Sequence, residues 1–163
     1  MASSILAVLI ATGAMLVITR DLSRLSGLPS FKRQLLRAIP FVLFAALSLF
    51  TAVRAPLGRH RFRVDLSLSW DDLARSITKV QHLRGFAVLL LLAVIAFGTQ
   101  RLLVAFLATM ALGIATELAQ ATVVGHNARL ADLAPDSLGC IISIVVVAGL
   151  RRALSPREEK PEA

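Results

Sequence analysis

Five long apolar runs constrain this chain more than any single motif, because each needs either a protein core of its own or a lipid bilayer to hide in. They lie at roughly Ala2 to Thr19, Ala38 to Val53, Val80 to Phe97, Leu102 to Val124 and Ser137 to Leu150. A helix satisfies its own backbone hydrogen bonds in hydrocarbon and needs about 20 residues to cross it. The 163 residues are 56% hydrophobic with a mean hydropathy of +0.75, which leaves no room for a separate soluble domain. The expected fold class is all-α: a polytopic membrane helical bundle of about five transmembrane helices. Residues 1–19 form an expected N-terminal transmembrane helix, 38–150 the membrane domain and 151–163 a polar tail with mixed charge and two prolines. The first run is expected to be retained rather than cleaved as a signal peptide, since no Lys or Arg precedes it and Arg20 and Arg24 follow it.

The net charge of +8 comes from basic residues between and beside the apolar runs, where cytoplasmic loops and anionic headgroups favour them. Aromatic residues make up 6% of the chain and Tyr is absent, so no stacking platform for nucleic acid is present. On a five-span arrangement ten Lys and Arg residues fall on one side and eight on the other. The cluster from Arg20 to Arg37 directly after the first run belongs to the larger set. This places the carboxyl terminus in the cytoplasm, and the segment from Arg54 to Lys79 outside together with "GHNARLADLAP". The expected location is the cell membrane, crossed several times, with membrane lipids as partners. The lone cysteine, Cys140, has no partner for an intramolecular disulfide and reads as a small packing residue.

The segment "RFRVDLSLSW" alternates Phe62, Val64, Leu66, Leu68 and Trp70 with charged or polar residues, the two-residue period of a half-buried strand. Ser69 with Asp72 three residues on gives an approximate capping box, with Asp71 and Asp72 in the first turn of the helix it starts. That helix is expected to run through Lys79 and His82 into the third span. Pro135 reads as a break and Ser137 as the cap of the last span.

Glu117 is the anomaly: a carboxylate inside an apolar run, about 10 Å below the outer end of its helix. "GTQR" joins the third and fourth runs as a tight antiparallel hairpin. Equal rise on both helices then puts His82 level with Glu117, and Lys79 level with Gln120. Thr109, Gly113, Glu117 and Gln120 share one helix face. His82 and Glu117 thus form a candidate acid–base pair facing a substrate, or a structural pin between helices. Arg129 suits a phosphate or carboxylate, with Asp132 orienting it if the segment is helical. His60 and His126 lack ligand spacing, so no metal and no cofactor are assigned. Ser137 has no base and no Gly-rich phosphate loop occurs.

The ordered set "TKVQH", "ELAQ", "HNAR" and "DLAPDSLG" resembles the VanZ-like family of small bacterial membrane proteins over residues 78–150. That family's pattern has Asp-Lys-x-x-His, then Glu-x-x-Gln on the next span, a Gly/Arg loop, and Asp-x-x-x-Asn-x-x-Gly entering the last. Lys79, His82, Glu117, Gln120, Arg129, Asp132 and Gly139 fit it, whereas Thr78 replaces an Asp and Asp136 an Asn. The resemblance implies a four-helix unit from runs two to five, an added N-terminal helix, a place in the cell envelope and a link to glycopeptide resistance. It carries no settled reaction.

Three function classes follow. One is an envelope protein whose outer pocket, with Lys79, Gln120, Arg129, Asp132 and Asp136 as binding residues, holds an anionic or lipid-linked envelope intermediate. Another is a noncatalytic scaffold or regulator of envelope enzymes, using small-residue faces at Gly139 and Ser143. The third is a proton-coupled carrier titrating at Glu117, for which an inverted repeat is missing.

Overall fold

A computed structural model describes residues 29–53, 62–124 and 126–154. Its elements in chain order are α1 (Ser30–Val53), β1 (Val64–Asp65), α2 (Trp70–Ile77), α3 (Val80–Phe97), α4 (Leu102–Gln120), β2 (Ala128–Arg129), a 3-10 turn (Leu130–Asp132) and α5 (Leu133–Leu154). The chain is mostly helical. Among the described residues four helices are long and apolar enough to cross a membrane: α1, α3, α4, and α5 taken with its preceding turn. The run from Ala2 to Thr19 and the tail beyond Leu154 lie outside the described residues.

Gly98 closes the hairpin between α3 and α4 at a φ of +91°, a conformation that costs glycine little and an L side chain more. Residues 62–69 and 126–129 meet at the opposite end, where β1 pairs with β2. Helices α1 and α4 therefore run one way, α3 and α5 the other. α3 is central, burying Ala87, Leu89, Leu90, Leu91, Ala93 and Val94, while α1 packs on α3 and α4 without burying any residue fully. Leu90, Leu91, Val94, Ala105, Cys140 and Val147 form the core, with Phe41 set edge-on to Phe97.

The parallel pair α3 and α5 approach closely at Gly139. A Cβ on Gly139 would collide with the backbone carbonyl of Leu83 and press on the amide of Ala87. Ser143 Oγ donates to the Ala87 carbonyl at 3.1 Å, and Cys140 Sγ lies 3.8 Å from that of Phe86. Small residues thus bring the backbones together and hydroxyl and thiol groups bridge them. The small-residue face of Gly139 and Ser143, read as a helix-contact face, makes that contact within the chain, against α3.

Several boundaries differ from expectation. α1 starts at Ser30 rather than Ala38, because Lys32, Arg33 and Arg37 interrupt hydropathy without interrupting helical backbone, and it continues through Pro40. α4 stops at Gln120 rather than Val124, its end tightened by the Thr122 amide donating to Ala119. α5 starts before Pro135, which fits a first turn where an N–H has no helical acceptor. Ser137 is therefore inside the helix, and its hydroxyl donates back to the Ala134 carbonyl.

Candidate functional site

The capping box at Ser69 forms as expected: its hydroxyl oxygen accepts the Asp72 amide at 3.1 Å, and Arg75 pairs with Asp72 at 3.0 Å. The helix it starts does not run on into the next. It ends at Ile77, where the Thr78 hydroxyl donates to the Arg75 carbonyl, and α3 begins anew at Val80. Thr78 competes for backbone acceptors in a way that suits helix ends. The break turns Ser76, Lys79 and His82 toward the start of α5.

There they meet two carboxylates spaced one helical turn apart. Ser76 Oγ donates to Asp132 at 2.8 Å, and Lys79 Nζ donates to the same oxygen at 2.6 Å. His82 Nδ1 is 3.1 Å from Asp136 Oδ1. Asp132 and Asp136 are buried, whereas Lys79 and His82 keep 42% and 31% of their side-chain surface exposed. The second oxygen of Asp136 is shut off from solvent without a hydrogen-bond partner, about where a Cβ on Gly113 would touch it. The contact series runs Lys79 to Asp132, His82 to Asp136, Phe86 to Cys140 and Ala87 to Ser143, one continuous seam along two parallel helices.

Glu117 is buried on α4 and takes the backbone amide of Arg129 at 3.4 Å, a long bond. It stands within direct Coulombic reach of His82, Asp132 and Asp136. The hairpin thus brings Glu117 near His82, as equal depth predicts, but the hydrogen-bond partner of His82 is Asp136. The expected Arg129–Asp132 pairing is not formed: Asp132 turns to Lys79 and Ser76, while Arg129 stands toward Asp65. The reason is that β1 and β2 pair in parallel, Val64 with Ala128 and Asp65 with Arg129, holding Arg129 extended rather than helical. Ser67 donates its hydroxyl and amide to Asp65, holding that carboxyl below its ordinary range.

Two cavities flank this cluster. One of about 290 Å³ lies between α1, α3 and α4, with His82, Gln81, Gln120, Thr116, Ser48 and Thr51 on its wall. The other, about 220 Å³, is almost wholly apolar, lined by Leu66, Ile114, Leu118, Leu130 and Leu133 beside Glu117 and Arg129. His82 and Gln120 therefore share one cavity, and Glu117 and Arg129 the other, with Lys79, Asp132 and Asp136 bonded in the seam. Ser76 was missed in the sequence; its signal is the three-residue spacing of Ser76, Lys79 and His82, repeated opposite by the four-residue spacing of Asp132 and Asp136. Among the described residues no three His, Cys, Asp or Glu side chains converge to hold a metal ion.

The class defined by fold and site is an α-helical bundle with an ionisable cluster at the loop-bearing end of apolar helices. No family model, curated protein or solved structure matches the chain.

Proposed function

We propose that this chain is a multi-pass cell-membrane protein of the bacterial envelope, of VanZ-like type, whose outer end binds an anionic, lipid-linked envelope component. The observation that carries this reading is the set of Lys79, His82, Glu117, Asp132 and Asp136 gathered at one end of apolar helices. Ionisable groups at such positions are expensive and mark binding or proton-transfer sites. The apolar cavity beside Arg129 suits a lipid chain, with the guanidinium at the anionic headgroup. The polar cavity beside His82 suits a sugar or peptide portion, since hydroxyl and amide groups line it.

In this reading Asp136 orients the His82 ring through Nδ1, leaving Nε2 for the ligand. Asp136 stands where the VanZ-like pattern has an Asn. An amide there would hold the ring equally well, so the carboxylate adds charge to the site rather than a new contact. Glu117, beside Arg129, is the second proton-transfer candidate.

The test is a titration of the purified full chain with a polyprenyl phosphate and with the matching neutral polyprenol. Saturable binding of the phosphate, weakened at least about fivefold in Arg129→Gln and absent for the polyprenol, supports the reading. Equal binding of both lipids removes it.

A further inference from the structure

The end of the bundle opposite the His82 cluster carries a separate basic cavity. Its volume is about 550 Å³, and it opens between the start of α1, the end of α3 and the start of α4. Arg33 and Arg37 come from α1, one turn apart, and Arg101 from the hairpin turn, with Ser30, Gln34 and Gln100 between them. Among the described residues no acidic side chain lines it. Three cations facing one hollow repel one another, and nothing among the described residues neutralises them. Arg37 is half-buried and its Nε is shut off from solvent without a hydrogen-bond partner. A buried donor left unmade is costly, so an acceptor belongs there.

We infer that this cavity is an anion site for a phosphate group, held by Arg33, Arg37 and Arg101. The planar guanidinium forks fit phosphate oxygens bidentately, and Gln34, Gln100 and Ser30 supply neutral donors around them. Phe97 and Ala96 form the apolar wall, so the site is polar on one side and greasy on the other. That is the make-up of a basic pocket between membrane helices that takes an anionic phospholipid headgroup. A free phosphate offers the same chemistry without the acyl chains. The site lies at the other end of the helices from the His82 cluster and stands independently of the function proposed for it.

The test is native mass spectrometry of the full chain in detergent, titrated with phosphatidylglycerol, with phosphatidylcholine and separately with inorganic phosphate. Wild type should prefer phosphatidylglycerol over phosphatidylcholine, and Arg37→Gln and Arg101→Gln should each weaken that preference about fivefold. Arg152→Gln, exposed at the same end but outside the cavity, should leave it unchanged. Saturable inorganic phosphate binding lost in the same variants would assign a free anion; phosphatidylglycerol binding alone would assign the headgroup. Equal affinity for the two lipids together with no phosphate binding in wild type overturns the site. So does a loss as large in Arg152→Gln as in Arg37→Gln. Should the Gln variants fail to fold, Arg37→Lys and Arg101→Lys keep the charge but lose the fork, and unchanged affinity in both likewise overturns it.

Discussion

Asp136, with 1% of its side chain exposed, is held 3.1 Å from Nδ1 of His82, which retains 31%. The two partners are therefore not equivalent. Removing the imidazole strands a buried carboxylate that already has one oxygen unpartnered, whereas removing the charge leaves the ring near a cavity. His82→Ala should cost about 2 to 3 kcal/mol, and Asp136→Asn less than about 1 kcal/mol. Reversible unfolding in mixed micelles measures both. Equal losses would mean that the attraction between the two charged groups, lost in either variant, sets the energy rather than the stranding of a buried carboxylate.

Asp132 accepts from Ser76 and Lys79 at once. Because Lys79 is partly exposed, its ion pair is worth less than a fully buried one. Lys79→Met and Ser76→Ala should each cost about 1 kcal/mol, and the double variant less than their sum, since both act through one carboxylate oxygen. A double-mutant cycle reads this directly; strict additivity would show that the two bonds are independent.

The seam between α3 and α5 depends on Gly139, where an added Cβ meets backbone that cannot swing away. Gly139→Ala should destabilise by about 3 kcal/mol or more, through overpacking and lost seam contacts. Gly149 on the same helix has open space around it. Gly149→Ala should be neutral or stabilising by up to about 1 kcal/mol. Melting temperatures that shift alike in the two variants would contradict the close packing.

Much of this arrangement is legible in the sequence. Apolar run length marks α3 and α4 to within a few residues, and the Ser69 capping box marks the start of α2, because both rest on local chemistry. What sequence reasoning missed was non-local. Equal depth across the hairpin points His82 at Glu117, yet Gly139 lets α5 lie closer to α3, and so Asp136 takes the imidazole. Likewise Arg129 and Asp132 suit each other at helical spacing, but a two-residue parallel strand pairing holds Arg129 extended. Hydropathy sets α1 eight residues too late because it scores side chains, and Arg33 and Arg37 are helical all the same.

Strand pairing of β1 with β2 fixes residues 62–69 and 126–129 at one end of the bundle, with Arg152 at the other. In the proposed membrane placement the two ends face opposite sides. In a Cys140→Ser background, a cysteine at Ser67 should react with an impermeant maleimide on intact cells, and one at Arg152 only after lysis. Reaction of both before lysis would refute the crossing of α5.

The most direct measurement is identification of the lipids that remain bound to detergent-purified wild type, His82→Ala, Glu117→Gln and Arg129→Ala, by native mass spectrometry alongside thermal stability. A lipid-linked anion should be held by wild type and lost from each variant that is still folded. The same generic lipids on all four proteins, with His82→Ala and Glu117→Gln merely melting earlier, would contradict the account and reduce the cluster to a structural pin.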